Sequence, residues 1–65
     1  MTTRRDPDPR ASILDAAEQA FAACGFEGTS LRQIVRQAQV NLATVYYYFR
    51  SKEGLLAAVF RRRIQ

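Results

Sequence analysis

Apolar residues recur along this chain at intervals of three and four, in blocks separated by short polar breaks. In the first block Ile13, Ala17, Ala20, Phe21 and Cys24 lie on one stripe, with Leu14 beside it. That spacing puts side chains on one face of an α-helix and does not fit the period of two that a strand requires. Asp8-Pro9 supplies the start of the helix. Asp caps it, and Pro suits the first helical position because its missing N–H would be unpaired there anyway. Ala16, Ala17, Ala20, Ala22 and Ala23 raise helix propensity and let another helix approach closely. Gly25 is predicted to stop the helix in the left-handed conformation, and Phe26 to fold back onto its end. Cys24 reads as a small core filler, since no base that could activate a thiol is in sight.

The second block places Leu31, Ile34, Val35 and Ala38 on one helical face. Thr29 or Ser30 caps it, and Ser30 to Gln33 fits the S-x-x-Q capping box. Gln39 and Val40 break the run, and Asn41 is a good N-cap for a third helix of about two turns, Leu42 to Phe49. Val45, Tyr46 and Phe49 fall on one side of it. Consecutive helix residues point about 100° apart, so Tyr46, Tyr47 and Tyr48 cannot all be buried. Tyr46 is predicted to be core or core edge, and Tyr47 and Tyr48 to lie outside. Ser51 is expected to cap a fourth helix with a core face of Leu55, Leu56, Val59 and Phe60. That helix is still in register at Arg61-Arg62-Arg63-Ile64-Gln65, where no Gly or Pro closes it. Residues 1–8 have no apolar periodicity and are expected to form a flexible arm, either a frayed terminus or a basic arm that reaches phosphates. Residues 9–65 form the domain.

A chain of 65 residues makes one small domain that buries only about 60% of its unfolded surface. Its 48% hydrophobic content is enough for a modest core. No apolar run approaches membrane-spanning length and no signal peptide is visible, so the protein is expected in the cytoplasm, off the membrane. A single cysteine excludes an internal disulfide. The lack of histidine removes the commonest general base and metal ligand. No paired carboxylates, activated nucleophile, metal set or phosphate loop appears. The chain is therefore not expected to be an enzyme or to carry a metal or cofactor.

Charge changes the picture more. The net of +4 divides into −2 for residues 1–31 and +6 for residues 32–65. In the second half Arg32, Arg36, Arg50, Lys52, Arg61, Arg62 and Arg63 face Glu53 alone. A polyanion is the expected partner of such a surface, through release of its counterions. Two helices joined by a tight turn, with small polar and aromatic groups outside and cations around them, meet what insertion into a DNA major groove requires. Lys52 in the first turn of the fourth helix opposes the helix dipole, a small penalty that a phosphate at that helix start would offset. Other readings stay open at this level. Arg32 and Arg36 also suit a solvated helix face, and Tyr47 and Tyr48 suit packing against another domain. The basic surface also suits an acidic protein or an anionic membrane, although its cations cluster around a turn instead of running along one amphipathic helix.

The stretch GFEGTSLRQIVRQAQVNLATVYYYFRSKEGLL, preceded by ILDAAEQAFAACGF, resembles the DNA-binding domain of TetR-type transcriptional regulators. The matched features are the Thr29-Ser30-Leu31-Arg32 helix start, Thr44-Val45-Tyr46, Phe49, and Ser51-Lys52-Glu53 with Leu55-Leu56. The resemblance covers residues 10 to about 60. It implies an all-α fold: a three-helix, homeodomain-like helix-turn-helix bundle, with a fourth helix leading toward a larger C-terminal domain that is absent here. It further implies sequence-specific binding of double-stranded DNA, most often as a repressor at a palindromic operator. Homodimerisation and small-molecule effectors would belong to the C-terminal domain. Carried over by position, Thr44 and Tyr48 face DNA, and Asn41, Leu42 and Ala43 lie at the N-terminal end of the recognition helix. Tyr47 takes a variable position that often faces the backbone. Lys52 matches a phosphate-binding lysine, and Arg32 matches a position that reaches a base in some members. The sequence departs from the family at Gln39, where Gly is usual, and at Val35, where Ala is usual.

Overall fold

The structure is a computed structural model that describes residues 8–64. The proposed arm, apart from Asp8, lies outside the described residues. Four helices follow one another: α1 (Pro9–Cys24), α2 (Leu31–Ala38), α3 (Leu42–Phe49) and α4 (Lys52–Arg63). The described residues contain no strand. The fold is thus the all-helical bundle expected from the periodicity. α1 packs against each of the other three helices. The largest fully buried side chains are Ile13, Ile34, Val45 and Leu55, one from each helix. Leu14, Ala16, Ala17, Phe49, Ala58 and Val59 complete the core.

Every helix begins at the polar residue picked out by the pattern. Asp8 accepts from the Arg10 amide at 3.1 Å, with Pro9 at the first helical position. Ser30 caps α2 in a full capping box. Its hydroxyl accepts from the Gln33 amide at 3.2 Å, and the Ser30 amide donates to Gln33 Oε1 at 2.7 Å. Thr29 is instead buried, and its hydroxyl bridges the Ala20 and Gly25 carbonyls at 3.1 and 2.8 Å. That pair satisfies a buried polar group and pins the α1–α2 loop to the end of α1. Asn41 and Ser51 cap α3 and α4 through the amides of Thr44 and Gly54.

Several expectations need correction. Cys24 is exposed and fills no gap in the core, because the loop leaves that side of the last turn uncovered. Gly25 has positive φ, as expected, but with φ 77° and ψ 169° it is not left-handed α. Extended ψ is what turns the chain back, so that the Phe26 ring lies 5.8 Å from that of Phe21. Tyr46 is 48% exposed and Phe60 59% exposed, whereas Ala58 is buried. The buried face of α4, Leu55, Ala58 and Val59, is rotated away from the expected one, and on α3 only Val45 and Phe49 of the expected side are covered.

The joints on either side of α3 are both strained. Gln39 is left-handed, at φ 61° and ψ 44°, the conformation for which Gly is favoured. Arg50 has φ 75° and ψ −36°, and the Ser51 amide donates to the Phe49 carbonyl at 2.9 Å across it. That is a γ-turn with positive φ, a rare and strained form. Gly54 completes this joint, since a Cβ there would lie 2.2 Å from the Phe49 carbonyl oxygen. Neither the positive φ of Arg50 nor the close approach at Gly54 is visible in the sequence pattern.

Gln39→Gly is expected to stabilise the fold by about 0.5–1 kcal/mol, as relief of left-handed strain outweighs the added chain entropy. Gly54→Ala is expected to cost about 1–3 kcal/mol through overpacking against the Phe49 carbonyl. Thermal unfolding followed by circular dichroism measures both.

Candidate nucleic-acid interface

Three residues, Gln39 to Asn41, separate α2 from α3. Asn41 Oδ1 accepts from both the Thr44 amide, at 3.2 Å, and the Thr44 hydroxyl, at 3.3 Å. The first turn of α3 is therefore held from its own N-cap. Val45 and Phe49, four residues apart, are buried. The ring of Phe49 also carries the Arg10 guanidinium at 5.6 Å. Away from that buried edge, Thr44, Tyr47 and Tyr48 stand at i, i+3 and i+4 and share a helix face. Thr44 is half-buried; Tyr47 is 78% exposed and Tyr48 39% exposed. The two tyrosine rings meet edge to face, with centroids 5.0 Å apart and planes at 82°. That is one of the geometries aromatic pairs favour. Asn41 and Ala43 are exposed and Leu42 is half-buried. The corrected Tyr46 adds a third exposed aromatic ring to α3.

The cations divide into two sets. Arg62 pairs with Asp15 at 2.9 Å and with Glu18 at 2.7 Å, and Arg63 also pairs with Glu18. These contacts join the end of α4 to the middle of α1. None of the ion pairs among the described residues involves Arg32, Arg36, Arg50 or Lys52. Arg32, Arg36 and Arg50 are exposed. Lys52, the first residue of α4, is half-buried with its Nζ 4.3 Å from the centroid of the Phe26 ring. So two arginines of the basic half are matched by carboxylates far along α4, while the cations of α2 and of the α3–α4 joint are in no ion pair among the described residues. The sequence could not show this, since the pairing residues lie 44 to 47 positions apart.

Hydrogen bonds from Arg62 first, and then from Arg63, hold the Glu18 carboxyl below the usual glutamate range. The same contacts, with Glu18 first and Asp15 second, raise the affinity of Arg62 for its proton. In this cluster Glu18 and Arg62 are half-buried, and Asp15 and Arg63 are exposed. Among the described residues no group of three or more His, Cys, Asp or Glu side chains could hold a metal ion. No helix among them is long and apolar enough to cross a membrane.

Two short helices joined by a three-residue turn and packed on a preceding helix are the helix-turn-helix arrangement. Residues 13–59 match the family described as "Bacterial regulatory proteins, tetR family". The chain belongs to the TetR family. It is 47% identical over 51 residues to the HTH-type transcriptional regulator RutR of Escherichia coli (strain K12), covering 78% of this chain and 24% of that protein. It is 35% identical over 52 residues to the fatty acid metabolism regulator protein of Bacillus subtilis (strain 168), covering 80% and 27%. A crystal structure of a HlyIIR mutant with an engineered thrombin-cleavable linker superposes with a TM-score of 0.81 at 42% identity, covering 83% of this chain and 30% of that one. The chain thus spans about a quarter of the length of these curated relatives.

The Glu18 cluster yields a sign-specific expectation. Its folded pKa is depressed, so the stability it contributes is present above the ordinary glutamate pKa and is lost as pH falls through the lower, folded value. Melting temperature should therefore decline on the acid side, and Glu18→Gln should flatten that limb while leaving its shape near neutrality unchanged. A pH series of thermal melts on both proteins checks this.

Proposed function

We propose that this chain binds double-stranded DNA sequence-specifically as the DNA-binding domain of a bacterial TetR-type transcriptional regulator, with α3 in the major groove. The observation that carries the reading is the conjunction at the helix-turn-helix. Thr44, Tyr47 and Tyr48 share one face of α3, and the cations of α2 and of the start of α4 take part in none of the ion pairs among the described residues. Phosphate contacts from cations and hydroxyls fix orientation, while short side chains at the helix start reach base edges. Thr44, Ala43, Leu42 and Asn41 take the base-proximal end. Tyr47 and Tyr48 lay their hydroxyls on phosphate and their rings on sugar or thymine methyl groups. Arg32 approaches from α2, and Lys52 anchors a phosphate at the start of α4, where the helix dipole assists.

The wider reading is a cytoplasmic repressor with no catalytic activity or cofactor of its own. Its dimerisation and effector binding belong to a further domain beyond this segment, and its operator is palindromic. The relatives' greater length supports that division, as do the exposed Phe60, late in α4, and Ile64, just after it, at 59% and 82%.

Lys52→Ala is expected to weaken binding to all duplexes alike and to reduce the slope of log affinity against log salt by about 1. Fluorescence-anisotropy titrations at several salt concentrations measure it, and an unchanged slope would remove Lys52 from the interface. Thr44→Ala keeps the amide contact to Asn41 and should change the preferred sequence with helicity intact. Selection of bound sites from a random duplex pool, with circular dichroism on the same variant, tests that. Loss of preference together with loss of helicity would assign Thr44 a structural role instead.

A further inference from the structure

We propose that Phe26, in the α1–α2 loop, is a positioning residue for the DNA interface. Its ring holds the Lys52 ammonium aimed at the phosphate while leaving its charge uncancelled. The inference rests on the reading of Lys52 as a phosphate anchor and adds a residue that neither the periodicity nor the helix-turn-helix itself points to.

The ring is itself fixed. Gly25 turns the chain back with φ 77° and ψ 169°. The Thr29 hydroxyl ties the loop to the carbonyls of Ala20 and Gly25 at 3.1 and 2.8 Å. Phe21 backs the ring at 5.8 Å between centroids. On the other side, the backbone of Lys52 is set by the Ser51 cap and by the close approach of Gly54 to the Phe49 carbonyl. Ring and ammonium therefore meet as two anchored parts, 4.3 Å from nitrogen to centroid. That distance is well within the roughly 6 Å range of a cation–π contact.

The choice of partner matters. A carboxylate facing Lys52 would hold the ammonium equally well, but a phosphate would have to displace it, and the counterion gain would fall. An aromatic face attracts the cation through its quadrupole, carries no net charge, and leaves N–H donors pointing away from the ring. A lysine held this way also gives up less side-chain freedom when it meets DNA. The loop between α1 and α2 thus joins the interface without touching the duplex.

The test uses Phe26→Leu, Phe26→Tyr, Lys52→Ala and the Phe26→Leu/Lys52→Ala double variant, each checked for helicity. The probe is a random-sequence 20-base-pair duplex, titrated at low salt by fluorescence anisotropy. Loss of the ring should weaken binding roughly two- to fivefold in the Lys52 background, with Phe26→Tyr close to the parent. Once Lys52 is Ala, Phe26→Leu should have no further effect. In the free protein, the Lys52 Hε resonances should be shifted upfield by the ring, move downfield in Phe26→Leu and stay in place in Phe26→Tyr. Equal weakening by Phe26→Leu in both backgrounds would make the ring a packing residue only and overturn the proposal. So would Lys52 resonances indifferent to Phe26. If Lys52→Ala leaves binding unchanged, the anchor reading fails and takes this proposal with it. Resonances that still respond to Phe26 in that case would locate the fault in the anchor and not in the ring contact.

Discussion

Everything in this small domain hangs on the burial of four aliphatic side chains, Ile13, Ile34, Val45 and Leu55, one from each helix. A chain of this length has little core to spare, and each helix contributes through one or two short stripes. α1 is the common partner of the other three and sets their mutual placement. α3 enters the core through Val45 and Phe49 alone. With only that edge committed, much of the circumference of a two-turn helix is free, and four of its eight residues, Ala43 and the three tyrosines, are exposed. The core therefore fixes the proposed reading surface by using as little of α3 as it can.

Charge is arranged on the same logic. The sum of +4 conceals a separation in which Arg62 and Arg63 are matched by Asp15 and Glu18, joining α4 to α1. The cations of α2 and of the α3–α4 joint are left uncompensated among the described residues. Ion pairs that stay partly open to solvent, as these do, add little stability singly. Their larger effect is on where unmatched charge lies, since Arg62 and Arg63 are matched while the cations around the helix-turn-helix are in no ion pair among the described residues.

Most of the fold was legible because helix limits are written locally. Asp8, Ser30, Asn41 and Ser51 each precede an apolar run, and each is the observed N-cap. The third helix and its outward tyrosines followed from period alone. The errors share one cause. Period gives the direction of a side chain, but not how much of that direction a neighbour covers, and Cys24, Tyr46 and Phe60 lie at uncovered margins. The α1–α4 ion pairs and the Phe26–Lys52 contact were invisible because they join residues far apart in sequence. Resemblance to the family drew attention to Gln39, and its left-handed backbone agrees. Arg50 carried no such signal, since Arg has no preference for positive φ that would betray a γ-turn, and Gly54 passed as an ordinary helix residue. The roles of individual side chains toward DNA stay with the proposal, because they depend on a partner and not on the chain.

The brevity of α3 carries a lesson for anyone who would borrow it. Eight residues fall well short of the dozen or so at which an isolated helix becomes even marginal in water. Its shape is lent by the core beneath it and by the two strained joints that bracket it. A synthetic peptide spanning only this segment would be a coil in solution, and a mimic of it would need a covalent staple to replace the scaffold it had lost.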